Sequence, residues 1–179
     1  MELFASPRSD AITVAEIADA AGMTSAAVYY HFASKDDILL EGLRLVGEEM
    51  VAEARRAQHD IAVRHASIGE LPVRLLEWME DERRAGATVW YVKSSGISLA
   101  VEQLRRELRG DLITVLTRAA KAARPKITAA EAAVVATALL SLIETTATSW
   151  LTEDESLTGL GRRRFLEETL RLAERIAGV

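Results

Sequence analysis

The stretch TVAEIADAAGMTSAAVYYHFASKDDIL, residues 13–39, decides how the chain is read. Thr13 stands where a helix N-cap belongs, and Glu16, three residues on, can return the bond to close a capping box. Val14, Ile17, Ala18 and Ala21 follow at the spacing of one helical face. Gly22 ends that helix, because a left-handed C′ position costs glycine little. A second start comes at once: Thr24 or Ser25 caps a helix that runs through Ala26, Ala27 and Val28 to Phe32. Ser34 caps a third, with Asp36 and Asp37 in its first turn, where carboxylates suit the helix dipole. Two short helices around a glycine turn make a helix-turn-helix pattern. Its packing needs Ala18 small at the crossing, Gly22 in the turn and Val28 apolar between the helices. An ordinary α-hairpin in a bundle would meet the same needs.

Outward from this stretch, the chain reads as helices throughout. Residues 1–5 look like the end of a helix stopped by Ser6-Pro7. The helix opened by Ser34 carries Ile38, Leu39, Leu43, Val46 and Met50 as an apolar stripe toward about Ala57. Residues 58–69 hold a bend or loop. A helix is expected over 70–84, broken by Gly86, then a short helix with a kink at Ser94-Ser95-Gly96. A long amphipathic helix covers 101–123 and stops at Arg124-Pro125. Thr128 and Glu131 form another capping box, opening a helix over 128–151 whose only charge between Ala132 and Trp150 is Glu144. A polar loop (152–161) and an amphipathic helix (162–176) finish the chain. No segment alternates with period two, so the fold class is all-α: an N-terminal helix-turn-helix three-helix unit with a truncated first helix, plus a C-terminal helical bundle.

Composition narrows the function. The chain has 179 residues, 49% hydrophobic and 27% charged, with three prolines, which suits a helical globular protein with a substantial core. It has no cysteine, so disulfide frameworks and thiolate metal sites are excluded. No run reaches roughly 18 consecutive apolar residues, and no basic segment precedes an apolar one, so no membrane partner is expected and the cytoplasm is the default. His59 and His65 with Asp60 and Glu53 are too irregularly spaced for a metal site. No Glu-x-x-His pair, no nucleophile with a base in motif spacing and no glycine-rich phosphate loop occurs, so neither an enzyme nor a cofactor is expected.

Together, Leu3-Phe4, Thr13 to Gly22, the run Tyr29-Tyr30-His31-Phe32 and Ser34-Lys35 resemble the helix-turn-helix of the tetracycline-repressor (TetR) family of bacterial transcription regulators. The likeness covers about 40 residues; the remainder matches only in helix count and order. It implies a DNA-binding domain over 1–45 and a ligand-binding and dimerisation domain over 46–179. It implies a homodimer on a palindromic double-stranded DNA operator. Thr24, Ser25 and Ala26 would bring the start of the recognition helix into the major groove. Tyr29 and Tyr30 would reach phosphates and sugars, and His31 would contact a phosphate or anchor the helix. Lys35 and Thr13 would each help a helix N-terminus hold a phosphate. Phe32 should face inward with Val28.

One feature opposes this reading. Residues 1–47 hold three Lys/Arg (Arg8, Lys35, Arg44) against seven Asp/Glu, a net of −4, while the whole chain stands at −5. Affinity for DNA comes largely from neutralised phosphates. Either native residues carrying Lys/Arg precede Met1, which is the expectation here, or helix N-termini and Lys35 supply the potential alone and binding is weak.

For the C-terminal part, the helices over 128–151 and 162–176 are the expected dimer pair. Arg162-Arg163-Arg164 reads as a solvated face. Trp78, Met79, Trp90, Tyr91, Leu112, Leu116, Ile143 and Trp150 are candidates to line a pocket for a small apolar effector, although each taken singly reads as core before ligand contact. The expected function is a ligand-responsive transcriptional regulator, a repressor released when the effector tilts the long fourth helix. The alternative is a helical ligand- or protein-binding module that has lost DNA binding.

Overall fold

The computed structural model describes residues 1–80, 83–154 and 159–179. Among the described residues there are nine α-helices and no strand: α1 (Glu2–Ala5), α2 (Val14–Ala20), α3 (Ser25–His31), α4 (Lys35–Arg64), α5 (Glu70–Trp78), α6 (Arg84–Thr88), α7 (Leu99–Ala123), α8 (Ala129–Leu151) and α9 (Arg162–Ala177). A 3-10 turn (Ser9–Ala11) follows α1, and a π-helical turn (Val89–Lys93) continues α6.

The head is built as its local chemistry dictates. The Thr13 N–H donates to the Glu16 carboxylate at 2.8 Å and the Glu16 N–H donates to Thr13 Oγ1 at 3.2 Å, so α2 starts in a full capping box. It ends in a Schellman closure around Gly22, whose φ is +65°: the Met23 N–H donates to the Ala18 carbonyl at 2.8 Å and the Gly22 N–H to that of Asp19 at 3.0 Å. Thr24, not Ser25, is the N-cap of α3. Ala18 and Val28 are the residues that α2 and α3 bury.

α4 is a continuous helix of 30 residues, and it runs straight through the boundary expected near residue 45. It also outlasts its expected end near Ala57. Ala57 and Ile61 are buried and extend the stripe of Leu43, Met50, Val51 and Ala54, so the core holds the helix until His65 closes it in the left-handed region. α7 and α5 pack along α4, α8 packs on α7, and α9 lies across α5 and α8. Gly47 marks the closest approach: a Cβ there would collide with Leu108 of α7 and the Trp90 ring.

Three boundaries differ from the sequence reading. α5 stops at Trp78 rather than near 84; positions 81 and 82 of the expected helix lie outside the described residues. Gly86 breaks nothing. It sits inside α6 because a side chain there would strike Val46, its Cβ only 2.7 Å from Cγ2. The kink expected at Ser94 begins earlier, as the π turn. Positions 155–158 of the expected loop also lie outside the described residues.

α8 is long and apolar enough to cross a membrane. Here Ala132, Val135, Ala136, Leu139, Leu140, Ile143 and Ala147 form its buried face against the bundle, while Ala130, Ala133, Val134, Thr137 and Ser141 stay exposed. Arg162 of the basic triplet reaches Glu80 at 2.7 Å, and Arg163 pairs with Glu167 at 2.8 Å.

The head rests on the body through α1, which packs on α6 and the π turn. The joint has one polar tie: Lys93 Nζ donates to the Ser6 carbonyl, just beyond α1, at 2.6 Å.

Candidate nucleic-acid interface

α3 turns Val28 inward and leaves Ala26, Tyr29 and Tyr30, at i, i+3 and i+4, as one outward stripe. Tyr29 is 56% exposed and Tyr30 85%. Thr24 heads the stripe; its Oγ1 accepts the Ala27 N–H at 3.2 Å, and its hydroxyl donates to no partner among the described residues. Ser25 is half-buried behind it. His31 is exposed on the flank with its ring edge-on to Tyr30, centroids 5.1 Å apart. No hydrogen-bond partner for Tyr29, Tyr30 or His31 occurs among the described residues. Phe32 is half-buried rather than fully inside, because it lies at the frayed end of α3, where the chain is already extended.

The two remaining candidates stand apart from that stripe. Thr13 Oγ1 donates to the Glu16 carboxylate at 2.9 Å, so its hydrogen is engaged in the cap. The N–H and hydroxyl of Thr13 hold the Glu16 carboxyl below its ordinary range, with Arg8 helping from a distance. Lys35 is half-buried and folds back: Nζ donates to the Asp10 carbonyl at 3.1 Å. Every cation in residues 1–47 faces an acceptor, since Arg8 lies 4.0 Å from Glu16 and Arg44 3.7 Å from Glu41.

In the body, a cavity of about 210 Å³ opens beside the π turn. Trp90, Tyr91 and Leu112 line it, as does Leu140. Met79, Leu116 and Ile143 are instead fully buried in the core. Trp78 is buried with the Arg83 guanidinium 5.8 Å over its ring, and Trp150 stacks parallel on Phe165 at 5.1 Å; none of these five lines the cavity. The rest of the wall is charged, which the expectation of apolar lining missed: Glu102, Arg105, Arg106 and Arg109 from α7 and Glu144 from α8. The signal was available, because Glu102, Arg105, Arg106 and Arg109 share helical spacing alongside the buried Leu104, Leu108 and Leu112. Burial of the Tyr91 hydroxyl raises its pKa strongly, and the nearby Glu144 adds to this; the phenol stays protonated and sits 2.9 Å from the Met50 sulfur.

Two of the four residues set aside as a metal site, Glu53 and Asp60, are held by one arginine. Arg74 donates to Glu53 at 2.8 Å and to Asp60 at 2.6 Å, and no metal-binding cluster occurs among the described residues.

A capped short helix, a glycine turn and a second helix that turns the unbonded phenols of Tyr29 and Tyr30 outward make a helix-turn-helix unit. Residues 1–41 match the family model described as bacterial regulatory proteins, tetR family. Over these residues the chain carries the amino-terminal helix-turn-helix domain of TetR-family DNA-binding regulators. No curated protein and no solved structure matches the chain.

Proposed function

We propose that the protein is a homodimeric repressor that binds a palindromic operator in double-stranded DNA and leaves it when a small effector enters the cavity beside the π turn. The observation that carries this is the stripe Thr24, Ala26, Tyr29 and Tyr30: exposed, with the phenols of Tyr29 and Tyr30 hydrogen-bonded to nothing among the described residues. Small residues at the start of α3 let it enter a major groove, and the phenols then reach backbone phosphates. Ser25 and His31 flank the stripe. Lys35 and Thr13 join it by exchanging the Asp10 carbonyl and the Glu16 carboxylate for phosphate oxygens. Residues 1–45 form the reading head and 46–179 the effector and dimer domain, without enzymatic activity, and the protein works in the cytoplasm.

Two features support the dimer and the response. The uncovered stripe of small and apolar residues on α8, beside α9, offers a face for the same two helices of a second copy. The effector reads out through the π turn: Trp90 and Tyr91 line the cavity, and Lys93 ends the same turn on the Ser6 carbonyl of the head. An effector with an apolar body between Trp90, Tyr91, Leu112 and Leu140 shifts the heads only if it binds their two arrangements unequally. The test is selection of bound fragments from a random duplex library, with sedimentation of the free protein. Enrichment of an inverted repeat with half-sites about one helical turn apart, by a dimer, is expected. Absence of any enriched sequence overturns the reading. It would favour the second one, a helical module that no longer binds DNA, for which the internally engaged cations of residues 1–47 speak.

A further inference from the structure

The charged wall of the cavity says more about the effector than its apolar residues do. Three guanidinium groups, Arg105, Arg106 and Arg109, face two carboxylates, Glu102 and Glu144. Arg109 and Glu144 pair with each other directly, and Glu102 accepts the Gly96 N–H at 2.8 Å. Neither carboxylate forms an ion pair with Arg105 or Arg106 among the described residues. Arg106 has no partner of any kind among them. Arg105 is half-buried and fixed: its Nη1 donates to the Trp90 carbonyl and, at 2.6 Å, to Ser94 Oγ, and its plane lies 5.5 Å over the Trp90 ring. Among the described residues Arg105 donates only through Nη1, which leaves its Nε–Nη2 edge for an oxyanion.

We infer that the effector carries an oxyanionic group, a carboxylate or a phosphate, held by Arg105 and Arg106, with its apolar body against Trp90 and Leu112. This rests on the reading of the cavity as the effector site. A held guanidinium over an indole is a preorganised receptor, because little side-chain freedom remains to be lost on binding. A forked guanidinium matches a carboxylate or phosphate edge with two parallel hydrogen bonds. A neutral ligand would leave Arg106 unpaired beside a ligand that shields it from water, and a cationic one would meet an excess of like charge.

The test uses the full chain with four probes: phenylacetate, its neutral isostere phenylacetamide, phenyl phosphate and benzylamine, followed by calorimetry and tryptophan fluorescence. At least one anion should bind about tenfold or more tighter than phenylacetamide; which of the two does so separates a carboxylate from a phosphate effector. Arg106→Gln should narrow that ratio, and Arg105→Gln should abolish it. If Arg105→Gln unfolds, Arg106→Gln still decides. Equal binding of acid and amide, no anion binding at millimolar concentration, or preference for benzylamine overturns the inference. DNA binding by the unliganded chain is scored separately, so its failure overturns the repressor reading and leaves the anion result to stand on its own.

Discussion

Tyr30 sits 85% in solvent with no internal bond, so Tyr30→Ala removes nothing that the fold uses. Its unfolding free energy should stay within about 0.5 kcal/mol of the parent, while operator affinity in a fluorescence-anisotropy titration falls several-fold. A large loss of stability would show that the side chain packs. Glu16 is the opposite kind of residue, a carboxylate fixed at the start of α2 where a phosphate would approach. Glutamine can still close a capping box, so Glu16→Gln keeps the helix and removes the repulsion; operator affinity should rise several-fold, and an unchanged or weaker affinity would show that α2 does not approach the backbone. The same bonds set a pH dependence. The Glu16 carboxyl is lowered by the Thr13 N–H and hydroxyl, and Glu131 by the same two groups of Thr128. Glu53, against the desolvation of partial burial, is held low by Arg56 and Arg74. A carboxyl lowered on folding contributes stability above its unfolded value, here 4.5, and the contribution disappears as pH falls through the folded value. Urea midpoints should therefore drop steadily between about pH 5 and pH 3, and less steeply in Glu16→Gln.

Elements carry the next level of constraint. Ala18, 2% exposed, is the buried residue of α2 where α3 crosses it. Ala18→Leu overfills that crossing and should cost about 1–3 kcal/mol, read by urea denaturation; a neutral result would mean that α3 can slide away without loss. The helices fixed by local chemistry were legible in the sequence. The Thr13–Glu16 and Thr128–Glu131 boxes, the stop at Gly22 and the end at Arg124-Pro125 are short-range signals, and the structure uses each of them. The outward face of α3 follows from Val28 as well, because only one side of a seven-residue helix can be buried. What the sequence hid is tertiary in origin. Gly86 looks like a breaker but is required by Val46 of α4, and α4 runs past its weak stretch because Ala57 and Ile61 still find the core. The π turn has no sequence rule behind it; the Trp90 carbonyl within it accepts from the Ser94 hydroxyl and from Arg105. The charged half of the cavity had its signal in the spacing of Glu102, Arg105, Arg106 and Arg109, but arginines beside a leucine stripe ordinarily read as a solvated flank.

At the scale of the whole molecule, the question is how a head of net charge −4 over residues 1–47 holds a polyanion. A dimer doubles the contacts without adding a new kind. Val134, 69% exposed in the middle of the uncovered α8 stripe, is the residue to test: Val134→Glu should give monomers by sedimentation and lose operator binding while the helical content stays. A dimer that persists would move the interface elsewhere. Salt dependence then measures the charge directly. Each phosphate neutralised by a Lys or Arg releases condensed counterions, and the slope of log affinity against log salt is about −0.9 per contact. Residues 1–47 supply three cations per protomer, all facing internal acceptors, so two heads offer six at most. The slope for operator binding should be no steeper than about −5, with neutral donors such as the Tyr29 and Tyr30 phenols and helix N–H groups making up the rest of the interface. Because those donors are insensitive to salt, binding should weaken less steeply as salt rises than that of a basic repressor. A slope near about −10 would require phosphate contacts from arginines and lysines outside residues 1–47, and the α3 stripe would then be only part of the surface that meets DNA.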